Sequence, residues 1–497
     1  MSKHNVLYVF GILALTAALL GACAPAVPEV QVQEVEVTRQ VEVPVETIVE
    51  VEREPFPEGT RLHIVQWSHF VPQYDVWFDP FLEAWGEANG VEVSVDHVDI
   101  PTTTATLSAA IDAGEGPTMV EVLFAPSAFV EGVQDLTDVN LQAQELFGEQ
   151  VATCRNSSYL PVIDKWYGFC HGWTPDPADT VSSLWAQVGY PEGPSTWEEL
   201  LDGGSRIKDE FGIPIGLGLS PELDSRMAAR AIIWSFGGSV QDENENVVID
   251  SPEVVEAVKF MTRLYQEAMT PLIEPFDWVA ATNNQELIAG NVSYILNSIS
   301  AYRTLQKIDA VAADDIGFGP ALFGPGGVRW ASSHVWAIYV VPNYVEGAEL
   351  EAAKAFMLHL MANHDQATFN SELYTFPAFP STVSQLSESR EATPGGAAAP
   401  AWLELDPFGS RPADKLQLLA TALEWTAWIG FPGPANPATG EVFGANILET
   451  MMARAAQGTV TAEQAVCEAH AQIEEIFERW RAQGLVGGTA TPDCQVG

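Results

Sequence analysis

Three observations predict an α/β fold with enough chain for two domains. From Arg61 onward, strand-like and helix-like runs alternate, which is the pattern of a sheet covered by helices. About 440 residues follow the N-terminal segments, and 47% of the chain is hydrophobic; a single core stops growing beyond about 250–300 residues, so this length divides into two bodies. Near the middle, Ala231 to Ala268 reads as a helix, a Gly-Gly stop, a short hairpin and a second capped helix.

In chain order, Lys3 and His4 precede an apolar run from Val6 to Leu20 that is too short to span a bilayer and ends in small residues. Residues 1–22 therefore read as a secretory signal peptide. Leu20-Gly21-Ala22-Cys23 looks like a bacterial lipobox, which makes Cys23 the lipidated N-terminus of an exported protein anchored to the cell membrane, facing the outside or the periplasm. Lasting anchorage takes more than one acyl chain, as such a modification supplies. Residues 23–58 are rich in Val, Glu and Pro. Repeated prolines and like charges make this a stiff solvated tether, able to reach on the order of 100 Å.

The alternation then runs through a strand at Leu62–Trp67, a helix at Trp77–Asn89, a strand at Val91–Val98, a helix at Thr106–Ala113 and a strand at Met119–Phe124. In the central stretch, Gly237-Gly238 ends the first helix, because glycine enters the left-handed region freely. Ser239–Gln241 and Val247–Ile249 flank a polar turn. Asp250-Ser251-Pro252-Glu253 then supplies a cap, a first-turn proline and a first-turn acid. Val254, Val255, Val258, Met261, Leu264 and Tyr265 recur at helical spacing and form one buried face. Pro394–Ala401, rich in Gly, Ala and Pro, reads as a surface loop.

This central order resembles the extracellular solute-binding proteins of bacterial ABC importers, the group that includes maltose-binding protein. The resemblance extends to Ala110-Ile111-Asp112-Ala113-Gly114-Glu115-Gly116-Pro117-Thr118, Pro194-Ser195-Thr196-Trp197-Glu198-Glu199-Leu200, Glu286-Leu287-Ile288-Ala289-Gly290-Asn291-Val292-Ser293 and Glu351–Met361 with Asn363-His364-Asp365-Gln366. Each block is weak alone; together they follow family order over roughly 60–485. The resemblance implies a two-lobed, periplasmic-binding-protein-like (Venus flytrap) α/β fold with three hinge crossings, near Pro161–His171, Val292–Asn297 and Asp365–Tyr374. Lobe one would comprise 59–165 and 293–366, and lobe two 166–292 and 367–488, with a tail at 489–497. It implies a monomer that captures a solute, most readily a mono- or oligosaccharide, and delivers it to membrane permease subunits, without a cofactor or catalytic residues. Peptide, polyamine or organic-anion capture on the same scaffold is the alternative, and a surface glycan-degrading lipoprotein is a further one.

Ligands of such a fold bind where loops of both lobes face each other. A sugar offers apolar C–H faces and a rim of hydroxyls, so its site needs aromatic rings and hydrogen-bonding groups; a buried hydroxyl left unmet costs about 1–3 kcal/mol. Fifteen tryptophans are available. Trp67, Ser68 and His69 follow the first strand, and Phe124 ends a later one. Trp173 lies in a crossing region, and Trp234 is on the helix before Gly237. By resemblance, Asn297, Tyr302, Trp330 and His334 occupy cleft-facing places. Arg230, aligned on Gly237-Gly238, stands where maltose-binding protein has a stacking tryptophan, which leaves room for an acidic sugar or another anion. Trp197 reads as core, and Trp425 and Trp428 share a face.

Charge and cysteines narrow the class. Asp plus Glu number 67 against 22 Lys plus Arg, which excludes nucleic acid as an expected partner. If Cys23 is lipidated, four of the five cysteines remain, an even number suited to two disulfides in an exported protein. Three pairings are possible, and nearness favours Cys154 with Cys170 and Cys467 with Cys494. No Cys-x-x-Cys zinc pattern is present. Asp242, Asn244, Asn246, Asp250 and Glu253 have the spacing of a calcium loop, but Val247 occupies the position where the turn needs glycine. Gly-x-Ser-x-Gly, His-Glu-x-x-His and Gly-x-Gly-x-x-Gly are absent, so neither a hydrolase nor a nucleotide-cofactor site is expected.

Overall fold

A computed structural model describes residues 55–383, 406–491 and 493–496. The signal peptide, Cys23, most of the tether and the 394–401 loop lie outside the described residues. Two separate sheets organise the rest. The larger has six strands in the order Phe376–Pro377, Phe169–Thr174, Val335–Val340, β3 (Met119–Val122), β1 (Arg61–Trp67) and β2 (Glu92–Val98). β1 is parallel to both β2 and β3, with Ile64 opposite Met119, whereas Val335–Val340 runs antiparallel to β3 and to Phe169–Thr174. Helix α1 (Gln73–Asn89) and helix α2 (Ile100–Ala113) connect the parallel strands. The Asp99 carboxylate caps α2 by accepting from the Thr102 amide, satisfying a donor that has no partner inside the helix.

The smaller sheet is antiparallel, with Ala178–Val181 between Tyr294–Leu296 and Ile316–Gly319. It has a core of its own, formed with helix residues Leu287, Ala301, Tyr302 and Leu305. The helices Leu223–Ser235 and Pro252–Leu264 pack with three C-terminal helices, Pro437–Gly444, Ile447–Ala456 and Ala462–Ala482. Between the first two lies the predicted turn sequence. Gly237 takes φ +93°, and the Ser251 hydroxyl accepts from the Val254 amide ahead of Pro252. The hairpin is a single bridge, Gln241 to Val247, rather than a pair of strands. Its turn uses the Asp242 carboxylate to accept from the amides of Asn244 and Asn246, and Asp250 accepts from the Gln495 amide. The acids with calcium-loop spacing are thus held in turn and tail contacts.

The strand pairings sort the chain segments between the two sheets. Phe169–Thr174 remains in the six-stranded sheet, and the chain leaves it only at Pro175-Asp176-Pro177, where two residues without N–H groups end the ladder. Tyr294–Leu296, the helix Ser300–Ile308 and Ile316–Gly319 all stay with the small sheet. Phe376–Pro377 still pairs with Phe169–Thr174. Helices α1 and α2 begin at Gln73 and Ile100, earlier than their apolar periodicity alone indicates.

Two disulfides are present, Cys154–Cys170 and Cys467–Cys494. Trp197 and Trp425 are fully buried, while Trp428 is half-buried. Among the described residues, no helix is long and apolar enough to cross a membrane.

Candidate functional site

The carboxyl end of β1 and the end of Phe169–Thr174 bring Trp67 and Trp173 to one small cavity, which His69, Tyr74, Glu121 and Thr375 also line. The Trp67 ring centroid lies 4.6 Å from that of His69 and 5.2 Å from that of Phe70. Tyr374 meets His69 edge-on at 4.9 Å. Ser68, between them in sequence, is exposed, and its amide donates to the Val98 carbonyl. At the floor of the cavity, His171 Nε2 is 2.9 Å from Glu121 Oε1. Burial pushes the Glu121 carboxyl up to about 8 and the His171 imidazole down to about 3, so near neutrality both are held mainly in their uncharged forms.

Tyr374 also lies 6.2 Å from His334, which carries the site across to the hinge. His334 Nδ1 is 3.0 Å from Asp176 Oδ1, in the segment joining the two sheets, and 3.9 Å from Asp224 Oδ1, in the first turn of the helix Leu223–Ser235. Asp179 follows in the small sheet, fully buried. The Asn297 amide donates to the Pro177 carbonyl just after Tyr294–Leu296. Burial raises the Asp176, Asp179 and Asp224 carboxyls above their usual range. Asp176 Oδ2, both oxygens of Asp179, Asp224 Oδ1, Asn297 Nδ2 and His334 Nε2 are buried and have no hydrogen-bond partner. Buried polar atoms are nearly always paired in folded proteins, so this concentration makes the place a candidate binding site.

A third group lies on the C-terminal helices. Phe124 stacks on Phe443, with centroids 5.4 Å apart, and the guanidiniums of Arg226 and Arg230 each lie 4.6 Å from the Phe443 ring centre. The helix Pro437–Gly444 approaches Pro126–Phe129 closely at Gly440, where a Cβ would sit 2.7 Å from Ser127 Oγ. A small cavity opens beside it, lined by Arg230, Trp234, Phe431, Phe443, Leu448 and Glu449. Phe431 gathers Trp330 at 4.6 Å, Trp428 at 5.2 Å and Trp234 at 5.8 Å. Arg230 is 4% exposed; burial lowers its pKa to about 10, with Glu449 and Asp176 acting against that fall. Its Nε is buried without a hydrogen-bond partner.

Of the residues singled out in the sequence, Trp67, His69 and Trp173 share the first cavity, and His334 and Asn297 lie at the hinge. Arg230 and Trp234 share the second cavity, with Phe124 and Trp330 packed beside it. Tyr302 belongs to none of these groups. Its helix turns it into the small-sheet core, where its hydroxyl donates to Ser410 Oγ at 2.7 Å and accepts from Gln306 Nε2, beside the Arg303–Asp406 ion pair. Sequence reasoning missed Asp176, Asp179, Asp224, Tyr374 and Phe443. The only local signal was Pro175-Asp176-Pro177-Ala178-Asp179, where acids interrupt an apolar stretch between prolines. Among the described residues, no group of three His, Cys, Asp or Glu is placed to hold a metal ion.

Rings and buried hydrogen-bonding groups in one layer suit reversible capture of a polyhydroxylated solute. Among curated proteins, no sequence matches the chain significantly. Solved structures with the same fold include maltose-bound MalE3 of T. maritima, 20% identical, TM-score 0.66, covering 84% of this chain and 98% of that one. A sugar transporter of Arthrobacter chlorophenolicus with bound laminaribiose is 15% identical, TM-score 0.66, with 84% and 99% covered. The GacH receptor of Streptomyces glaucescens, solved unliganded and with acarbose, is 15% identical, TM-score 0.65, with 85% and 99% covered. These likenesses establish the two-lobed binding-protein fold. Residues 78–398, more than half of the sequence, match the bacterial extracellular solute-binding protein family, and the chain belongs to that family.

Proposed function

We propose that this protein captures a carbohydrate between its two lobes and hands it to the permease of an ABC importer. Lobe one would comprise about 59–174 and 335–383, and lobe two about 178–319 and 406–488, following the strand pairings. The observation that carries this reading is the set of rings Trp67, His69 and Trp173 around one cavity, which Tyr374 links to His334, together with the buried, unpartnered atoms Asp176 Oδ2, Asp224 Oδ1, Asn297 Nδ2 and His334 Nε2. Rings offer faces to sugar C–H surfaces, and the polar atoms satisfy hydroxyls that closure would otherwise strand. Three similar folds hold maltose, laminaribiose and acarbose, which supports the same solute class here. Solute touching both lobes would favour the closed form over an open one.

The Leu20-Gly21-Ala22-Cys23 sequence supports attachment through a lipidated Cys23, with the 23–58 segment as tether. A binding role without catalysis accords with the family. A thermal-shift panel of saccharides, polyols, amino acids, polyamines and organic anions tests the proposal. A cognate sugar at about 100 times its dissociation constant should stabilise the fold by about 2.7 kcal/mol. Stabilisation only by amino acids or organic anions would refute carbohydrate capture, and hydrolysis of an offered oligosaccharide would refute a purely binding role.

A further inference from the structure

The segment joining the two sheets and its surroundings hold more buried carboxyl groups than the protein pairs with cations. Asp176 and Asp179 are fully buried, and Asp224 is 6% exposed. Among the described residues, no Lys or Arg forms an ion pair with any of the three; the only such contacts are those of His334, at 3.0 Å to Asp176 and 3.9 Å to Asp224. Arg230, the nearest guanidinium acting on Asp176, is shared with Glu449. Glu222 adds another carboxylate, which caps the helix by accepting from the amides of Asp224 and Ser225. The other titratable groups facing the cluster, Tyr294 and Tyr374, bring no positive charge.

An ionised carboxylate buried without a cation is strongly disfavoured. Closure over a neutral sugar would leave these acids to be neutralised by taking up protons. An ammonium group supplies both the missing charge and three N–H donors. The unpartnered oxygens of Asp176, Asp179 and Asp224 are acceptors for such donors. The three acids are not placed to hold a metal ion. His334, whose Nδ1 meets Asp176, and Asn297, whose backbone amide donates to the Pro177 carbonyl, keep Nε2 and Nδ2 buried and unpartnered, and these atoms remain for hydroxyls of the same solute.

We propose that the solute is an aminated saccharide, whose protonated amine seats among Asp176, Asp179 and Asp224 while the aromatic rings take its sugar faces. This rests on the carbohydrate reading above. Three disaccharides with one backbone and linkage separate the two ideas: the β-1,4-linked dimer of glucosamine, its N,N′-diacetyl form, and cellobiose. They carry an ammonium, an acetamide and a hydroxyl at the same carbon. Calorimetry on the full-length mature protein at neutral pH should show the diamine binding at least about tenfold tighter than either neutral sugar. That preference should shrink as the pH rises and the amine loses its proton. Asp224→Asn should collapse the preference and Asp224→Glu should keep it; Asp179→Asn provides a second readout should Asp224→Asn fail to fold.

Equal or tighter binding of cellobiose or the diacetyl form overturns the proposal and leaves carbohydrate capture standing. So does a wild-type preference that persists in both asparagine variants. Binding of spermidine with no response to any saccharide overturns both readings. No heat from the diamine up to about 1 mM, the weak limit of specific capture, also overturns it.

Discussion

Replacing Glu121 with glutamine should flatten the alkaline side of the protein's stability profile. Glu121 is 1% exposed and faces His171 across the lobe-one cavity. Burial carries its pKa from 4.5 to about 8. A group whose pKa rises on folding holds its proton more firmly in the folded chain. Its contribution is complete below the unfolded value and is lost as pH climbs through the folded one. From about pH 4.5 to about pH 8 the loss accumulates at about 1.4 kcal/mol per pH unit, or about 5 kcal/mol in all. Glutamine keeps the shape and a donor toward His171 but cannot ionise, so the Glu121→Gln variant should lose nothing over this window through position 121. His171, lowered from 6.5 to about 3 by burial, has the opposite sign. Its contribution is present above 6.5 and is lost as pH falls, so both proteins should weaken alike in acid. Urea unfolding of wild type and variant at half-unit steps from pH 5 to pH 8 reads the difference. Parallel stability curves across that window would refute the claim that Glu121 is a buried acid kept protonated by its surroundings.

Three further outcomes follow from the packing. Phe443→Ala removes the ring between Phe124 and the two arginines; it should cost about 3 kcal/mol in denaturant unfolding, and small-angle scattering should report a more open ligand-free molecule. Tyr302→Phe should lower stability by about 1 kcal/mol through the lost Ser410 hydrogen bond, with solute affinity measured by calorimetry unchanged. Replacing Cys467 and Cys494 with serine opens a link spanning 27 residues, so chain entropy predicts a loss of about 3–4 kcal/mol in unfolding free energy.

What the sequence disclosed and what it hid divide along a physical line. Helix ends and caps are local events: Gly237, Ser251-Pro252 and the apolar stripe from Val254 to Leu264 could be read from neighbours a few residues away, and the structure has them there. Strand partnership is not local. Phe169–Thr174 is an aromatic, fully buried run that either sheet could have accepted, and only its pairing with Val335–Val340 assigns it. Rings at strand ends are few, so Trp67, His69 and Trp173 could be singled out along the chain, and the structure brings the three to one cavity. Asp176, Asp179 and Asp224 were hidden among 67 acids, since nothing along the chain marks which carboxylates will be buried together. Tyr302 misled because its place after a strand fits a cleft residue, while the helical phase that turns it toward Leu305 and Ser410 depends on a core assembled from distant segments.

The central claim is capture of a sugar by closure of two lobes, and one experiment addresses it directly. Small-angle scattering of the full-length protein would be recorded with and without the saccharide that gives the largest thermal shift. A smaller radius of gyration on binding, abolished when Trp67 and Phe443 are both replaced by alanine, is the predicted result. An unchanged radius with every stabilising sugar, or stabilisation that survives loss of both rings, would contradict it.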